Sequence, residues 1–324
     1  MTGRDASRRD ASRRGAILTV TPNTALDTVL FVEGFAFGET VRAQGVATGM
    51  GGKGAVTSWV LGQLGTPSVA TGFAAGETGR RMEAMLRAAG VETDFLWVGG
   101  ETRTNYVVAR VADGSQGTVT ASGLVPAPED PARLRGHVEA LLPEAAVLLC
   151  GGSLPAGMPV DWYAPLIARA RDLGIPTLLD VSDQFLEPNV AARPTIITPN
   201  SAEASRLLGR PIATVAQAAR GAEELARRGI AAVLITLGEH GAVAATDEGL
   251  YHVPPVPVRV VNTAGAGDAF NGGVIQARLD GACWAEALRW AGAVATAALL
   301  TPGTGEIHPE DVQALYPRVT VQRL

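Results

Sequence analysis

The chain has 324 residues, 47% of them hydrophobic and 18% charged, which allows a large core and one main α/β domain. A net charge of −5 gives no general attraction to nucleic acid or to anionic lipid, so neither a nucleic acid nor a membrane is an expected partner. A small molecule is the expected partner instead.

The first 15 residues repeat the polar unit Asp-Ala-Ser-Arg-Arg and predict a disordered tail over 1–15. This segment lacks the apolar stretch of an export signal, and the apolar segment 291–300 is too short to cross a bilayer. Cys150 and Cys283 lie in apolar runs, which favours buried thiols over a disulfide, and the four histidines are too scattered for a zinc site. These features predict a cytoplasmic protein.

From residue 16 onward, short β-rich runs alternate with helical patterns, as in βαβ units. This order predicts the α/β class, with a doubly wound, mostly parallel sheet. The predicted strands are 17–20, 68–73, 146–150, 177–181, 195–198 and 232–236. The predicted helices are 55–64, 78–89, 131–142, 161–173, 201–208, 215–228, 268–279 and 284–300.

Two segments, about 28–47 and 102–121, contain β patterns without intervening helices. Strands connected in this way favour a small antiparallel sheet that stands off the main body as a lid. The sequence therefore predicts one domain over 16–324 that includes these lid strands.

The loop Thr263-Ala264-Gly265-Ala266-Gly267-Asp268 follows a β-rich run at 256–261 and opens a predicted helix. The backbone of Gly265, Ala266 and Gly267 can approach a ligand closely, and the free N–H groups of the first helical turn can hold a transferring phosphoryl group. Asp268 can then accept the proton of an attacking hydroxyl. The alternative is a Gly-rich turn in which Asp268 only favours the helix N-terminus.

This loop is neither of two common phosphate-binding loops. A dinucleotide fingerprint would need glycine where Phe270 stands, and a P-loop would need Gly-Lys followed by Ser or Thr.

Five motifs in order make the chain resemble the ribokinase-like, or PfkB, carbohydrate kinases. They are the segments 21–27 (Thr-Pro-Asn-Thr-Ala-Leu-Asp), 49–54 (Gly-Met-Gly-Gly-Lys-Gly), 199–203 (Pro-Asn-Ser-Ala-Glu), 236–241 (Thr-Leu-Gly-Glu-His-Gly) and the loop ending at Asp268. The resemblance covers nearly the whole chain. It implies a kinase that uses ATP and Mg²⁺.

The resemblance also implies roles for single residues. Asp268 would be the catalytic base and Asp27 would hold sugar hydroxyls. Asn200 and Glu203 would position phosphates and magnesium, Glu203 acting on the metal through water. The nucleotide-side loop would contribute Thr236, Gly238 and Gly241.

Further segments resemble the 1-phosphofructokinase and tagatose-6-phosphate kinase group, whose substrates already bear a phosphate. They are 39–42 (Glu-Thr-Val-Arg), 101–105 (Glu-Thr-Arg-Thr-Asn), the Gly-Gly-Lys-Gly form at 51–54 and 151–155 (Gly-Gly-Ser-Leu-Pro). This likeness implies a sugar phosphate as partner and a homodimer formed through the lid. The implied acceptor-binding residues are Gly51, Gly52, Lys53, Arg103 and Ser153.

Several of these residues have ordinary structural alternatives. Lys53 could be a solvated turn residue, Arg103 could pair with Glu101, and Glu203 could form a capping box with Asn200. Asp180, at the end of a predicted strand, either faces the site or caps the next turn.

The chain departs from the family pattern at three positions. Val56 and Trp59 replace the usual Asn and Arg, and Asp183 stands where many relatives have glycine. The identity of the sugar is therefore open. Two other functions stay in competition with phosphorylation of a phosphoketohexose: a kinase of an unphosphorylated sugar or nucleoside, and a sugar-phosphate-binding regulator without activity.

Overall fold

A computed structural model of the chain describes residues 15–324, except for the side chain of Asp183. The predicted tail over 1–15 therefore lies, apart from Gly15, outside the described residues. The N–H of Gly15 donates to the carbonyl of Glu144 at 2.8 Å, which places it beside the first strand of the domain.

All predicted strands and helices are present, with ends shifted by up to three residues. The strands are β1 (Ala16–Thr21), β2 (Ala25–Val32), β3 (Gly45–Gly51), β4 (Ser68–Ala74), β5 (Glu92–Thr93), β6 (Leu96–Trp97), β7 (Arg103–Arg110), β8 (Gln116–Val119), β9 (Ala145–Gly151), β10 (Thr177–Asp180), β11 (Ile196–Ile197), β12 (Ala232–Thr236), β13 (Ala242–Thr246), β14 (Gly249–Val253) and β15 (Gln322–Arg323). The helices are α1 (Lys53–Gln63), α2 (Gly76–Ala88), α3 (Asp130–Leu141), α4 (Ala164–Asp172), α5 (Leu186–Val190), α6 (Ser201–Leu208), α7 (Val215–Ala226), α8 (Ala266–Leu279), α9 (Trp284–Ala298) and α10 (Pro309–Leu315).

The main sheet has the order β15-β14-β13-β12-β11-β10-β9-β1-β4-β5, with β6 on β4. The strands from β12 through β1 to β5 are parallel, and β13, β14 and β15 add an antiparallel edge. This arrangement confirms the predicted doubly wound, mostly parallel sheet. The direction of strand addition reverses between β1 and β9, which makes their carboxyl ends the switch point where such folds bind ligands.

Each face of the sheet carries its own apolar core. Alternate residues of β1 point to opposite sides, so Leu18 packs with the helices α3 to α7 while Ile17 packs with α1, α8, α9 and α10. Burial on both faces explains why these strands read as continuous apolar runs in the sequence. Within 15–324, none of the helices has both the length and the apolar character needed to cross a lipid bilayer.

A separate four-stranded sheet, β3-β2-β7-β8, forms the lid. Its two outer pairs are antiparallel, and its central pair, β2 with β7, is parallel. The predicted small separate sheet is therefore confirmed, but its central pair is parallel where an antiparallel sheet was expected, and β2 and β3 extend beyond the predicted segment 28–47.

Two local expectations differ from the structure. Cys283 is exposed, because it precedes the first turn of α9 instead of lying in it, whereas Cys150 is buried as expected. The β-rich run 256–261 forms no strand in the described chain, since prolines at 254, 255 and 257 supply no N–H for a sheet ladder.

Candidate active site

The predicted site residues gather at the carboxyl ends of the central strands, around the β1/β9 switch point. Ser153 follows β9 and Glu203 follows β11, while Asp27 lies in the lid strand β2, which comes shortly after β1. The chain segments approach one another closely there: a Cβ on Gly151 would lie only 2.5 Å from the backbone nitrogen of Gly54. Such contacts explain why glycines are needed in this region.

Asp27 lies on the inner face of the lid and is buried. Its Oδ1 accepts a hydrogen bond from Asn105 Nδ2 at 2.9 Å, while Asn105 Oδ1 has no partner. A side chain at Gly51 would collide with the Asp27 carboxylate, so glycine keeps that carboxylate accessible. Burial raises the pKa of Asp27, against the opposing effect of the Asn105 hydrogen bond.

Arg103 reaches inward from the start of β7. Its Nη1 donates to the Ala121 carbonyl at 3.2 Å and its Nη2 to the Asn23 carbonyl at 3.3 Å. Its Nε is buried without a partner, and Glu101 instead accepts N–H groups at the start of α2. The predicted alternative of an Arg103–Glu101 pair is therefore not formed.

Asn23 joins the two sides of the switch point. Its Nδ2 donates to Ser153 Oγ at 3.0 Å, and its buried Oδ1 has no partner. The acceptor side of the site thus contains three buried polar atoms with unused hydrogen-bonding capacity, on Asn23, Arg103 and Asn105. Buried polar atoms are rarely left unpaired, so this cluster suits a polar ligand.

Lys53, the first residue of α1, points into a group of carboxylates. Its Nζ lies 2.6 Å from Asp180 Oδ1 and 3.4 Å from Glu203 Oε1. Burial works against the charged form, but the carboxylates of Asp180, Glu203 and Asp268 together raise the pKa of Lys53. The ammonium therefore remains charged across the physiological range, and the alternative of a solvated turn lysine is wrong.

Asp268 lies in the first turn of α8, opposite Lys53. Gly265 precedes this helix with φ 84°, a backbone conformation that favours glycine. No side chain caps the helix at this end. Removal from water, reinforced by the nearby Asp180 carboxylate, raises the pKa of Asp268, while Lys53 lowers it. A side chain at Gly267 would meet nothing within 4 Å, so the space before this helix end is open.

Asn200 and Glu203 form the predicted capping box at the start of α6. Asn200 Oδ1 accepts the N–H groups of Ala202 and Glu203 at 2.9 Å, and Glu203 Oε2 accepts the N–H of Asn200 at 2.9 Å. Asn200 also bridges to Thr236, which brings the loop with Gly238 and Gly241 beside it. The residues predicted on the nucleotide side therefore lie together.

Magnesium fits this donor set only through water. Among residues 15–324, leaving aside the undescribed side chain of Asp183, no three acidic, histidine or cysteine side chains are close enough to hold an ion directly. Glu203 Oε1 has one long contact, 3.4 Å from Lys53 Nζ, and keeps free lone pairs. Carboxylate oxygens suit Mg²⁺, and this ion retains several of its waters, so Glu203 could hold it through a water molecule.

Sequence reasoning left Asp180 unassigned and did not single out Asn271. Asp180 Oδ2 accepts a hydrogen bond from Asn271 Nδ2 at 2.7 Å, so these two residues connect Lys53 to α8. Asn271 follows Asp268 by three residues on one helix, and that spacing was the available signal.

Comparisons with known proteins agree with this geometry. Residues 19–311 match the model of the pfkB family of carbohydrate kinases. 1-Phosphofructokinase from Rhodobacter capsulatus is 33% identical over 314 residues, which cover 95% of this chain and 98% of that protein.

Among solved structures, phosphofructokinase-2 from Escherichia coli in complex with substrates and products has a TM-score of 0.85 at 27% identity. Its tetrameric inhibited form has a TM-score of 0.83 at 26% identity. Each covers 94% of this chain and 99% of its own. Ribokinase from Arabidopsis thaliana with ribose and ATP, at 22% identity over 94% of this chain and 99% of that one, has the same fold with a TM-score of 0.75. The chain belongs to the pfkB family and is a carbohydrate kinase.

Proposed function

We propose that the enzyme transfers the γ-phosphate of ATP to a hydroxyl of a phosphorylated ketohexose, as in 1-phosphofructokinase or tagatose-6-phosphate kinase. The main support for this proposal is the orientation of Arg103. Its guanidinium faces the acceptor side with a buried, unpaired Nε and has no carboxylate within ion-pair distance among the described residues. A fork of N–H donors in this position suits the phosphate of the acceptor.

In the proposed reaction, Asp27 and Asn105 orient the sugar hydroxyls, and Asp268 accepts the proton of the attacking hydroxyl. The oxygen of that hydroxyl bonds to the γ-phosphorus as the bond to the β-phosphate oxygen breaks, which gives ADP and a sugar bisphosphate. The free N–H groups at the start of α8 stabilise the charge on the transferring group. The raised pKa of Asp268 makes this carboxylate a better base than an ordinary aspartate.

The position of Lys53 favours a role at the transferring phosphoryl group. Its ammonium lies among Asp180, Glu203 and Asp268, where it offsets carboxylate charge that would otherwise repel ATP. Direct contact of Lys53 with the phosphate of the acceptor, as the family resemblance implies, stays a prediction.

ATP and Mg²⁺ are the proposed cofactors. Asn200, Thr236, Gly238 and Gly241 would lie along the nucleotide, and Glu203 would hold the magnesium through water. The metal would supply positive charge to the phosphates. Because the reaction consumes ATP and a sugar phosphate, a cytoplasmic location belongs to the same proposal.

Val56 supports a second candidate, an acceptor that differs from the ordinary phosphoketohexoses. This residue is 2% exposed and packs with Leu26 and Met50, so no polar side chain stands where relatives place the sugar-binding Asn. The loss of the polar side chain at this buried position would suit an acceptor that lacks the corresponding hydroxyl.

A panel of sugars, nucleosides and sugar phosphates tested by coupled release of ADP separates these functions. We expect the highest kcat/KM for a ketohexose phosphate. A clear preference for an unphosphorylated sugar would contradict the proposed substrate class. Absence of turnover with every compound, together with tight binding of a sugar phosphate, would support the regulator instead.

We also propose a homodimer formed through the lid. The outer face of the lid sheet exposes Val46, Tyr106 and Val119, and the loop after β2 exposes Phe35 and Phe37. An apolar surface of this kind is typical of an interface between proteins. Light scattering of the wild type and of Val46→Asp would test the assembly, since a charge on this face should shift the enzyme to monomers.

A further inference from the structure

Gln63, the last residue of α1, holds a distant segment of the chain with both ends of its amide. Its Nε2 donates to the carbonyl of Gly305 at 3.1 Å, and its Oε1 accepts the N–H of Ile307 at 2.9 Å. The Nε2 also donates within the helix to the Trp59 carbonyl at 3.1 Å. One side chain thus fixes two backbone groups that are more than 240 residues away in the sequence.

The segment held by Gln63 packs directly against the loop before Asp268. The N–H of Gly305 donates to the Ala264 carbonyl at 3.3 Å. A Cβ on Gly265 would lie only 2.5 Å from the Gly305 nitrogen, so the two backbones are in contact. Any shift of Gly305 therefore reaches Gly265, which begins the helix end that receives the phosphoryl group.

The far side of Gly305 is closed by α1. A Cβ on Gly305 would collide with Val56 of α1, and the residue has φ 67°. The segment is consequently confined between α1 and residues 264–265, and Gln63 sets its position along the helix. Close packing of this kind transmits small displacements.

The same helix also contacts the catalytic turn at its other end. Lys53 begins α1, and Thr57 Oγ1 lies 3.0 Å from the Lys53 carbonyl and 3.3 Å from the Asp268 carbonyl. Helix α1 therefore touches the start of α8 directly through Thr57 and indirectly through Gln63 and Gly305.

We propose that Gln63 is a positioning residue for phosphoryl transfer. By hydrogen-bonding Gly305 and Ile307, it holds the backbone of residues 264–267 in the position that the transfer beside Asp268 requires. This inference rests on the proposed phosphoryl transfer at α8. Gln63 touches neither substrate; it acts on the N–H groups that stabilise the transition state. Its loss should therefore lower kcat, with the KM values for ATP and for the acceptor little changed.

The test compares Gln63→Met with Gln217→Met. Methionine keeps the length of glutamine but forms neither hydrogen bond. Gln217 is the matched control, because its Oε1 accepts the N–H groups of Ala213 and Thr214 at the start of α7. Gln63→Met loses its two hydrogen bonds to the 305–307 segment and the one within α1, and Gln217→Met loses its two at the start of α7. Only Gln63 is connected to the catalytic loop.

We expect Gln63→Met to lower kcat by roughly tenfold to a hundredfold, because misplacement by about 1 Å has effects of this size. Gln217→Met should leave kcat within about twofold at any temperature where it is folded. In Gln63→Glu an acceptor for Ile307 remains, but a carboxylate oxygen would face the carbonyls of Trp59 and Gly305, so kcat should fall at least as far as in Gln63→Met.

Amide hydrogen exchange supplies a measurement that needs no sugar substrate. In Gln63→Met the amides of Thr263, Ala264 and Gly305, which donate hydrogen bonds in the wild type, should exchange roughly tenfold faster, and those of α7 should not change. Unchanged exchange there, or unchanged kcat in the folded variant, would overturn the inference. A wild type that phosphorylates no compound of the panel would count against the proposed function alone, and exchange would still decide on Gln63.

Discussion

Gln116 of the lid contacts the catalytic loop: its Oε1 accepts the N–H of Thr263 at 3.1 Å. Beside this hydrogen bond, Ala264 packs against the apolar inner face of the lid, formed by Val29, Val107 and Ala109. The lid is therefore attached to the residues just before Gly265. The lid therefore shares contacts with the loop that we propose to hold the transferring phosphoryl group.

Gln116→Met should weaken the connection between the lid and the loop before Gly265. A neutral hydrogen bond contributes about 0.5–1.5 kcal/mol, so we expect ATP hydrolysis without acceptor to rise about 2-fold to 10-fold relative to sugar phosphorylation. Release of ADP and formation of the sugar bisphosphate are measured in parallel. Gln44→Met is the matched control, because Gln44 also belongs to the lid region but its side-chain amide donates to Glu33 Oε1 at the surface. An equal ratio in both variants would show that the Gln116 contact does not control water access.

Asp268→Asn should keep the fold and the affinity for ATP, and should lower kcat by roughly 10²-fold or more, because an amide cannot accept the proton. Steady-state kinetics and ATP binding by calorimetry measure the two effects. Near wild-type turnover would remove Asp268 from the mechanism.

The same variant should be more stable than the wild type at neutral pH. The pKa of Asp268 is raised in the folded state, so the folded protein holds a proton over a pH range in which the unfolded chain has lost it. Stability of the wild type therefore falls as the pH rises through this range. The difference in Tm between Asp268→Asn and wild type should be positive at pH 7 and shrink as the pH approaches 4. A constant difference would contradict the raised pKa.

Arg103→Ala should raise KM for the sugar phosphate by roughly 10-fold to 10²-fold, since a hydrogen bond to a charged group contributes about 1.5–3 kcal/mol. KM for ATP should change little. Arg110→Ala provides the control, because Arg110 lies on the same strand but pairs with Asp113 at the surface. Loss of ATP affinity alone would place Arg103 on the nucleotide side.

Val56→Asn should place an amide among apolar neighbours. We expect the free protein to lose about 1–3 kcal/mol of stability, because the amide gains no partner there. If the preferred acceptor differs from the ordinary phosphoketohexoses, kcat/KM on it should fall, while on fructose 1-phosphate or tagatose 6-phosphate it should rise roughly 2-fold to 10-fold. If the preferred acceptor is one of these two compounds, kcat/KM on it should rise by the same factor. Val56→Thr, which adds a hydroxyl at nearly constant volume, is the control. A fall in kcat/KM on all three compounds would contradict the idea that Val56 marks a changed acceptor.

The sequence predicted the main sheet well because buried parallel strands are continuous apolar runs. The Asn200–Glu203 capping box was equally accessible, since its partners are three residues apart. The contact between Lys53 and Asp180 could not be predicted, because it spans 127 positions in the sequence and depends on how α1 meets the end of β10. The exposure of Cys283 was also missed, since an apolar run does not reveal where a helix begins.

Helices α1 and α8 both begin at the site next to a glycine, which has no side chain that could cap the helix. Asn200 caps α6 and Thr214 caps α7 with their side chains, whereas Gly52 precedes α1 and Gly265 precedes α8 without such a hydrogen bond. Phosphate oxygens can satisfy the N–H groups at these two helix ends, as the side chains of Asn200 and Thr214 do at α6 and α7. Substrate would then act as a removable cap, and thermal stability would report occupancy. A ligand at 100 times its Kd should add about 2.7 kcal/mol to the free energy of unfolding.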